Sequence, residues 1–196
     1  MRIRVTFVSI AILISLYCTG QSSLPYYQIP DYPEEYNAET VVARMVDGLG
    51  FRYYWATEGL RDTDLDFRPT DKARTSKEAL QHIYELTKIL VNTTEQKPTL
   101  FPEHEKNLTY KQLREKTLLN IQKASQQLKS EANSKLSELD MVFQSGERKT
   151  EFPFWNLING PISDAIWHVG QVVSFRRSSG NPINSKAEVL LGRLLD

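Results

Sequence analysis

Pro161-Ile-Ser-Asp-Ala-Ile-Trp-His-Val-Gly-Gln-Val-Val-Ser-Phe-Arg-Arg-Ser-Ser-Gly180 reads as a helix with two unlike faces. At about 100° per residue, Ile162, Ala165, Ile166, Val169, Val172 and Val173 fill one broad apolar arc. Ser163, Gly170, Ser174 and Arg177 take the opposite side, as a surface helix requires. Proline suits a first helical turn, so the spacing predicts a start near Pro161. Gly180, with Pro182 beyond it, marks the exit. Asp164, His168 and Gln171 stack on a narrow strip at the edge of the apolar arc, away from the solvent side.

Working outward, the same periodicity predicts three more helices. The first covers residues 38–60 on Ala38, Val41, Met45, Leu49, Tyr53, Ala56 and Leu60, with Gly48 and Gly50 lowering its intrinsic propensity. Tyr53-Tyr54-Trp55 within it read as mostly core. The second opens on a capping box, Thr75-Ser-Lys-Glu78, and runs to about residue 93 on Ala79, Ile83, Leu86 and Leu90. The third covers residues 109–132, with Tyr110, Leu113, Thr117, Ile121, Ala124 and Leu128 facing inward. Residues 133–151 are polar and weakly patterned, a loop or a small hairpin, and no stretch shows sustained strand alternation. The fold class expected from these segments is all-α, an antiparallel four-helix bundle.

The remaining segments are expected to be accessory. Arg2 and Arg4 precede a mostly apolar run over residues 5–17, followed by Cys18-Thr-Gly-Gln21. These are the parts of a signal peptide over residues 1–20, cleaved after Gly20, which implies export to a periplasm or the exterior. The run is short of the ~20 residues of a membrane span, so no span is expected after cleavage. A lipoprotein anchored at Cys18 ranks second, because Tyr17 is bulky where a lipobox takes a small residue. Cleavage removes the only cysteine, and with it every disulfide, thiolate nucleophile and sulfur ligand. Residues 21–37, rich in Pro and Tyr, form an extended arm; residues 38–182 are the helical domain and 183–196 a C-terminal segment. With 24 basic and 24 acidic side chains, and no basic cluster interleaved with aromatics, a nucleic-acid partner is not expected.

Chemistry concentrates on few side chains. Asp164 and His168 stand one turn apart, so both reach one point. His82 lies on the inward stripe of the second helix with Ala79, Ile83, Leu86 and Ile89. Two nitrogens and a carboxylate oxygen make a facial ligand set that leaves coordination positions open. The plainer reading is a set of hydrogen-bonded boundary residues, with Asp164 in a first turn complementing the helix dipole. His104, in Pro102-Glu-His-Glu-Lys, reads as a solvated loop residue. Trp155 and Trp167 fit either the rim of a pocket or an interface.

Thr75-Ser-Lys-Glu-Ala-Leu-Gln-His82-Ile, Ser163-Asp-Ala-Ile-Trp-His168-Val-Gly-Gln171 with Arg176-Arg177 and Ser179-Gly-Asn-Pro182, and the loop Leu65-Asp-Phe-Arg-Pro69 resemble the DinB/YfiT-like metalloprotein family. The resemblance spans roughly residues 38–182, and order and spacing carry it. It implies a metal held by one histidine on the second helix and a His-x-x-x-His pair on the fourth. His82 and His168 match; Asp164 stands at the remaining position, a departure. The implied cofactor is a divalent metal, zinc first, with nickel, iron or manganese admissible. Gln171 is expected to orient a ligand or water from outside the metal's own shell. The implied activities are metal-dependent transfer or hydrolysis of an unknown small molecule, and homodimers are common in the family. Export disfavours the thiol-transferase branch and leaves a hydrolase the better fit. The competing expectation is a non-catalytic binding or structural module with a vestigial site.

Overall fold

Three of the long helices begin where a side chain and the backbone cap each other. Asn37 and Thr40 form a capping box at the start of α1 (Ala38–Thr57), Thr75 and Glu78 at α3 (Ser76–Thr94), and Thr109 and Gln112 at α4 (Tyr110–Lys129). Each box satisfies backbone donors that the first turn leaves free. A short α2 (Asp62–Leu65) follows α1, and α5 (Phe154–Leu157) leads to α6 (Ser163–Ser178). This computed structural model describes residues 24–101, 107–130 and 135–196. The expected signal peptide with Cys18, and His104, lie outside the described residues.

The long helices enclose one core. α1 packs against α4 and α6, and α3 against the same two. Buried between them are Val46, Leu49 and Tyr53 of α1, Leu80 and Ile83 of α3, Leu118 and Ile121 of α4, and Ile162, Ala165 and Val169 of α6. The inward face of α1 differs from the expected stripe in its first half. Val42 and Val46 are buried, whereas Val41 and Met45 are 50% and 38% exposed and line a surface groove with Tyr32 and Tyr36. Both pairs are apolar at i, i+4, so periodicity alone could not choose between two adjacent strips.

The all-α expectation is overturned. Among the described residues five strands form two small sheets, so the chain is a mixed α and β protein and not an all-α four-helix bundle. β1 (Thr99–Leu100) pairs parallel to β2 (Met141–Ser145), which pairs antiparallel to β3 (Arg148–Phe152). β4 (Ala187–Glu188) and β5 (Arg193–Leu194) form a second hairpin. The β2–β3 hairpin turns through Gly146, whose φ of +58° suits a residue without a Cβ. β3 is polar and largely solvated, while β2 opens on three consecutive apolar residues, Met141-Val-Phe143, of which Met141 is buried, so no apolar alternation marks either strand. The other three strands are two residues long, too short for any period to register.

The last long helix also starts earlier than expected. Helical backbone begins at Phe154 and continues through a π-helical turn, Ile158–Ile162, that contains Pro161. A π turn widens the ring of backbone hydrogen bonds and so tolerates a residue that lacks an N–H. The Ser163 hydroxyl donates to the Ile158 carbonyl at 2.7 Å. α5 then packs on the hairpin strand β2 while α6 packs on α3 and α1.

The arm is docked. The Tyr26 ring is buried against Gly50, where a Cβ would come within 2.5 Å of it. Its hydroxyl donates to the buried Asp47 at 2.9 Å, which also takes Lys129 Nζ at 2.5 Å. The glycine that weakens α1 as a helix is therefore what lets the arm sit down.

At the far end of α6, Arg176 is 3% exposed and donates from one nitrogen to the carbonyls of Trp55, Ala56 and Glu58 at 3.0–3.1 Å. It thereby caps the C-terminal end of α1. Beside it the buried Asp64 accepts from Arg61 at 2.8 and 2.9 Å, and from Ser179 and Asn181 at 2.6 Å each. These contacts, the Arg61 pair first, hold the Asp64 carboxyl well below the usual carboxylate range. The knot fixes where α6 lies against α1.

Candidate metal centre

With α3 started by its capping box and α6 anchored at its far end, the facing edges of the two helices bring His82, Asp164 and His168 together. One ligand atom from each lies within 4.8 Å of the others. His82 Nε2 is 3.1 Å from Asp164 Oδ2, and His168 Nε2 is 3.3 Å from Asp164 Oδ1. The two imidazole rings meet edge to face, centroids 4.7 Å apart. Side-chain exposures of 28%, 35% and 13% for His82, Asp164 and His168 put the cluster at the boundary, reachable from solvent on the side of the carboxylate.

The spacing fits an ion. Ligand atoms each about 2.1 Å from a zinc-sized ion at tetrahedral angles stand roughly 3.4 Å apart; each histidine approaches its own oxygen of Asp164 at about that distance, and one donor atom from each of the three residues lies within 4.8 Å of the others. The donor set, two nitrogens and one oxygen, suits borderline divalent metals.

The protons argue further. Gln171 Oε1 is 2.8 Å from His168 Nδ1, and an amide oxygen only accepts, so that nitrogen carries the ring proton. In the neutral ring Nε2 is then a bare lone pair, and it faces a carboxylate oxygen. With Nδ1 turned to Gln171, Nε2 is the His168 nitrogen directed at Asp164 Oδ1, 3.3 Å away, and at the ligand cluster. Gln171 thus touches the outer nitrogen of His168, as an orienting group does.

Other expectations fall differently. Trp155 and Trp167 are 74% and 72% exposed, so neither lines an enclosed pocket; Trp167 sits on the solvent side of the strip that carries Asp164. Tyr53 and Trp55 are core, with Tyr54 half-buried. Glu85 was missed. Its Oε2 lies 3.8 Å from His82 Nδ1, and the only sequence signal was its position three residues after the histidine.

Compared with known proteins, the chain matches no family model, no curated protein and no solved structure. Among the described residues no helix is long and apolar enough to cross a membrane.

Proposed function

We propose that this chain is an exported, divalent-metal-binding protein whose ion is held by His82, Asp164 and His168, and that its activity is metal-dependent hydrolysis of a small molecule. The observation that carries the metal reading is the convergence of one donor atom from each of His82, Asp164 and His168 within 4.8 Å, drawn from two separate helices. The likeness of the stretches around His82 and His168 to the DinB-like motifs supports the same ligand set, with Asp164 in place of a histidine. Zinc is the first choice on donor type. A divalent ion held there supplies Lewis acidity to an oxygen of the substrate.

The chain's own residues do the rest. His82 and His168 present Nε2 inward, and Asp164 offers one oxygen toward each ring. Three protein donors would leave a bound ion positions for water or substrate, and Asp164 is the most exposed of the three residues. A substrate would approach there, past the indole of Trp167. The shallow setting suits a small, polar substrate.

Metal analysis of the purified protein, with zinc titration calorimetry, tests this. Stoichiometric uptake that is lost in both His82→Ala and His168→Ala, while both variants stay folded, is the expected result. A folded wild-type chain that takes up no zinc, nickel, iron or manganese overturns it and leaves the non-catalytic module.

A further inference from the structure

Metal-bound imidazoles generally donate their outer N–H to a partner, and that partner sets the tautomer and the basicity of the ring. The two histidines of this cluster are backed unequally. His168 Nδ1 meets the neutral amide of Gln171 at 2.8 Å. His82 Nδ1 faces the carboxylate of Glu85, with Oε2 at 3.8 Å. Glu85 is itself steadied, because its other oxygen accepts from Gln81 Nε2 at 3.2 Å. The side chains of Gln81, Glu85, His82, Asp164, His168 and Gln171 thus form one polar row across α3 and α6, with an amide at each end.

We infer that Glu85 is the positioning residue of His82: its carboxylate accepts a hydrogen bond from Nδ1–H, turns Nε2 toward the ligand cluster, and supplies the second negative charge that makes the site neutral around a dication. This rests on the metal reading above. The spacing favours an outer role for Glu85. It lies one turn from His82 on the same helix, beside the nitrogen that points away from Asp164, and it stands outside the set of atoms that converge within 4.8 Å. Its carboxylate and that of Asp164 together balance a divalent ion. A small movement of a 44% exposed side chain closes the remaining gap.

The test compares zinc affinity of the wild type, Glu85→Ala, Glu85→Gln and Glu115→Ala, the last an exposed carboxylate on α4. Glu85→Ala is expected to weaken zinc about tenfold. Glu85→Gln should lose less, since its amide oxygen still accepts the hydrogen bond, and Glu115→Ala should leave affinity unchanged. Nitrogen-15 NMR of the zinc-loaded wild type should place the His82 proton on Nδ1, with its exchange slowed relative to Glu85→Ala. Unchanged affinity in Glu85→Ala, or a His82 that binds zinc through Nδ1, overturns the role of Glu85 while the metal site stands. A wild type that binds no zinc overturns both, so the two failures are distinct.

Discussion

α6 carries two polar clusters about two turns apart, and they are opposites. Around Arg176 and Asp64 the hydrogen-bonding groups are matched: the guanidinium meets three carbonyls, and the carboxylate meets Arg61, Ser179 and Asn181. Both side chains are shut away from water. Around His168 and Asp164 the groups are only partly buried, and an imidazole nitrogen and a carboxylate oxygen stand 3.3 Å apart. A buried polar cluster with every bond made stabilises a structure. The cluster at the surface is held by fewer and longer contacts, and it is the one to which the metal proposal applies. On one helix, saturation separates architecture from chemistry.

That contrast can be broken by mutation. The largest effect should come from Arg176→Ala, which strands three buried carbonyls at the end of α1. A loss of about 3 kcal/mol or more is expected in urea unfolding, and a loss below ~1 kcal/mol would mean that the knot is not structural. Next, zinc at a hundredfold over its dissociation constant should stabilise the wild type by about 2.7 kcal/mol, read as a rise in melting temperature. That rise should be absent in His168→Ala.

Asp64→Asn should cost about 2 kcal/mol at neutral pH, and it sharpens the comparison through acid. The folded-state carboxyl is lowered, so its contribution is complete above the ordinary aspartate range near pH 4. It is lost as pH falls below that range toward the lowered value. The wild type should therefore lose stability on acidification over an interval where Asp64→Asn is flatter. An equal acid slope in both would deny Asp64 that part. The smallest effect belongs to the other cluster: metal-free His168→Ala should stay within about 0.5 kcal/mol of wild type. A large loss there would make the cluster structural as well.

The same two clusters mark how much was legible in the sequence. Asp164, His168 and Gln171 were readable as one strip because helical geometry converts spacing into direction, and His82 shared an inward stripe. Arg176 was passed over as part of the helix exit, although it falls inside the apolar arc with Ala165 and Val169. An arginine there is a signal for a buried cap. Glu85 gave no such signal, because a solvated carboxylate one turn from a histidine is ordinary on any surface helix. A hairpin within residues 133–151 was one of the two readings open there, and the structure supplies it as β2–β3; β1, β4 and β5 were illegible because they are two residues long, and β1 pairs across a long separation, Thr99 with Phe143. The π turn was hidden because proline after glycine reads as a beginning, and only the backbone of Phe154–Leu157 shows that the helix was already under way.

The wide turn ahead of α6 has a consequence for the charge on Asp164. An acidic residue near a true helix end is explained by the amide hydrogens that end leaves unclaimed. Here Ile162 and Ser163 already have right-handed helical backbone, continuous with the turn before them, and no blunt positive pole exists beneath the carboxylate. Its anionic charge finds its company sideways, across the groove between two helices, in a pair of imidazoles. The turn thus removes the dipole account of Asp164 and leaves its sideways contacts with His82 and His168 as its local partners.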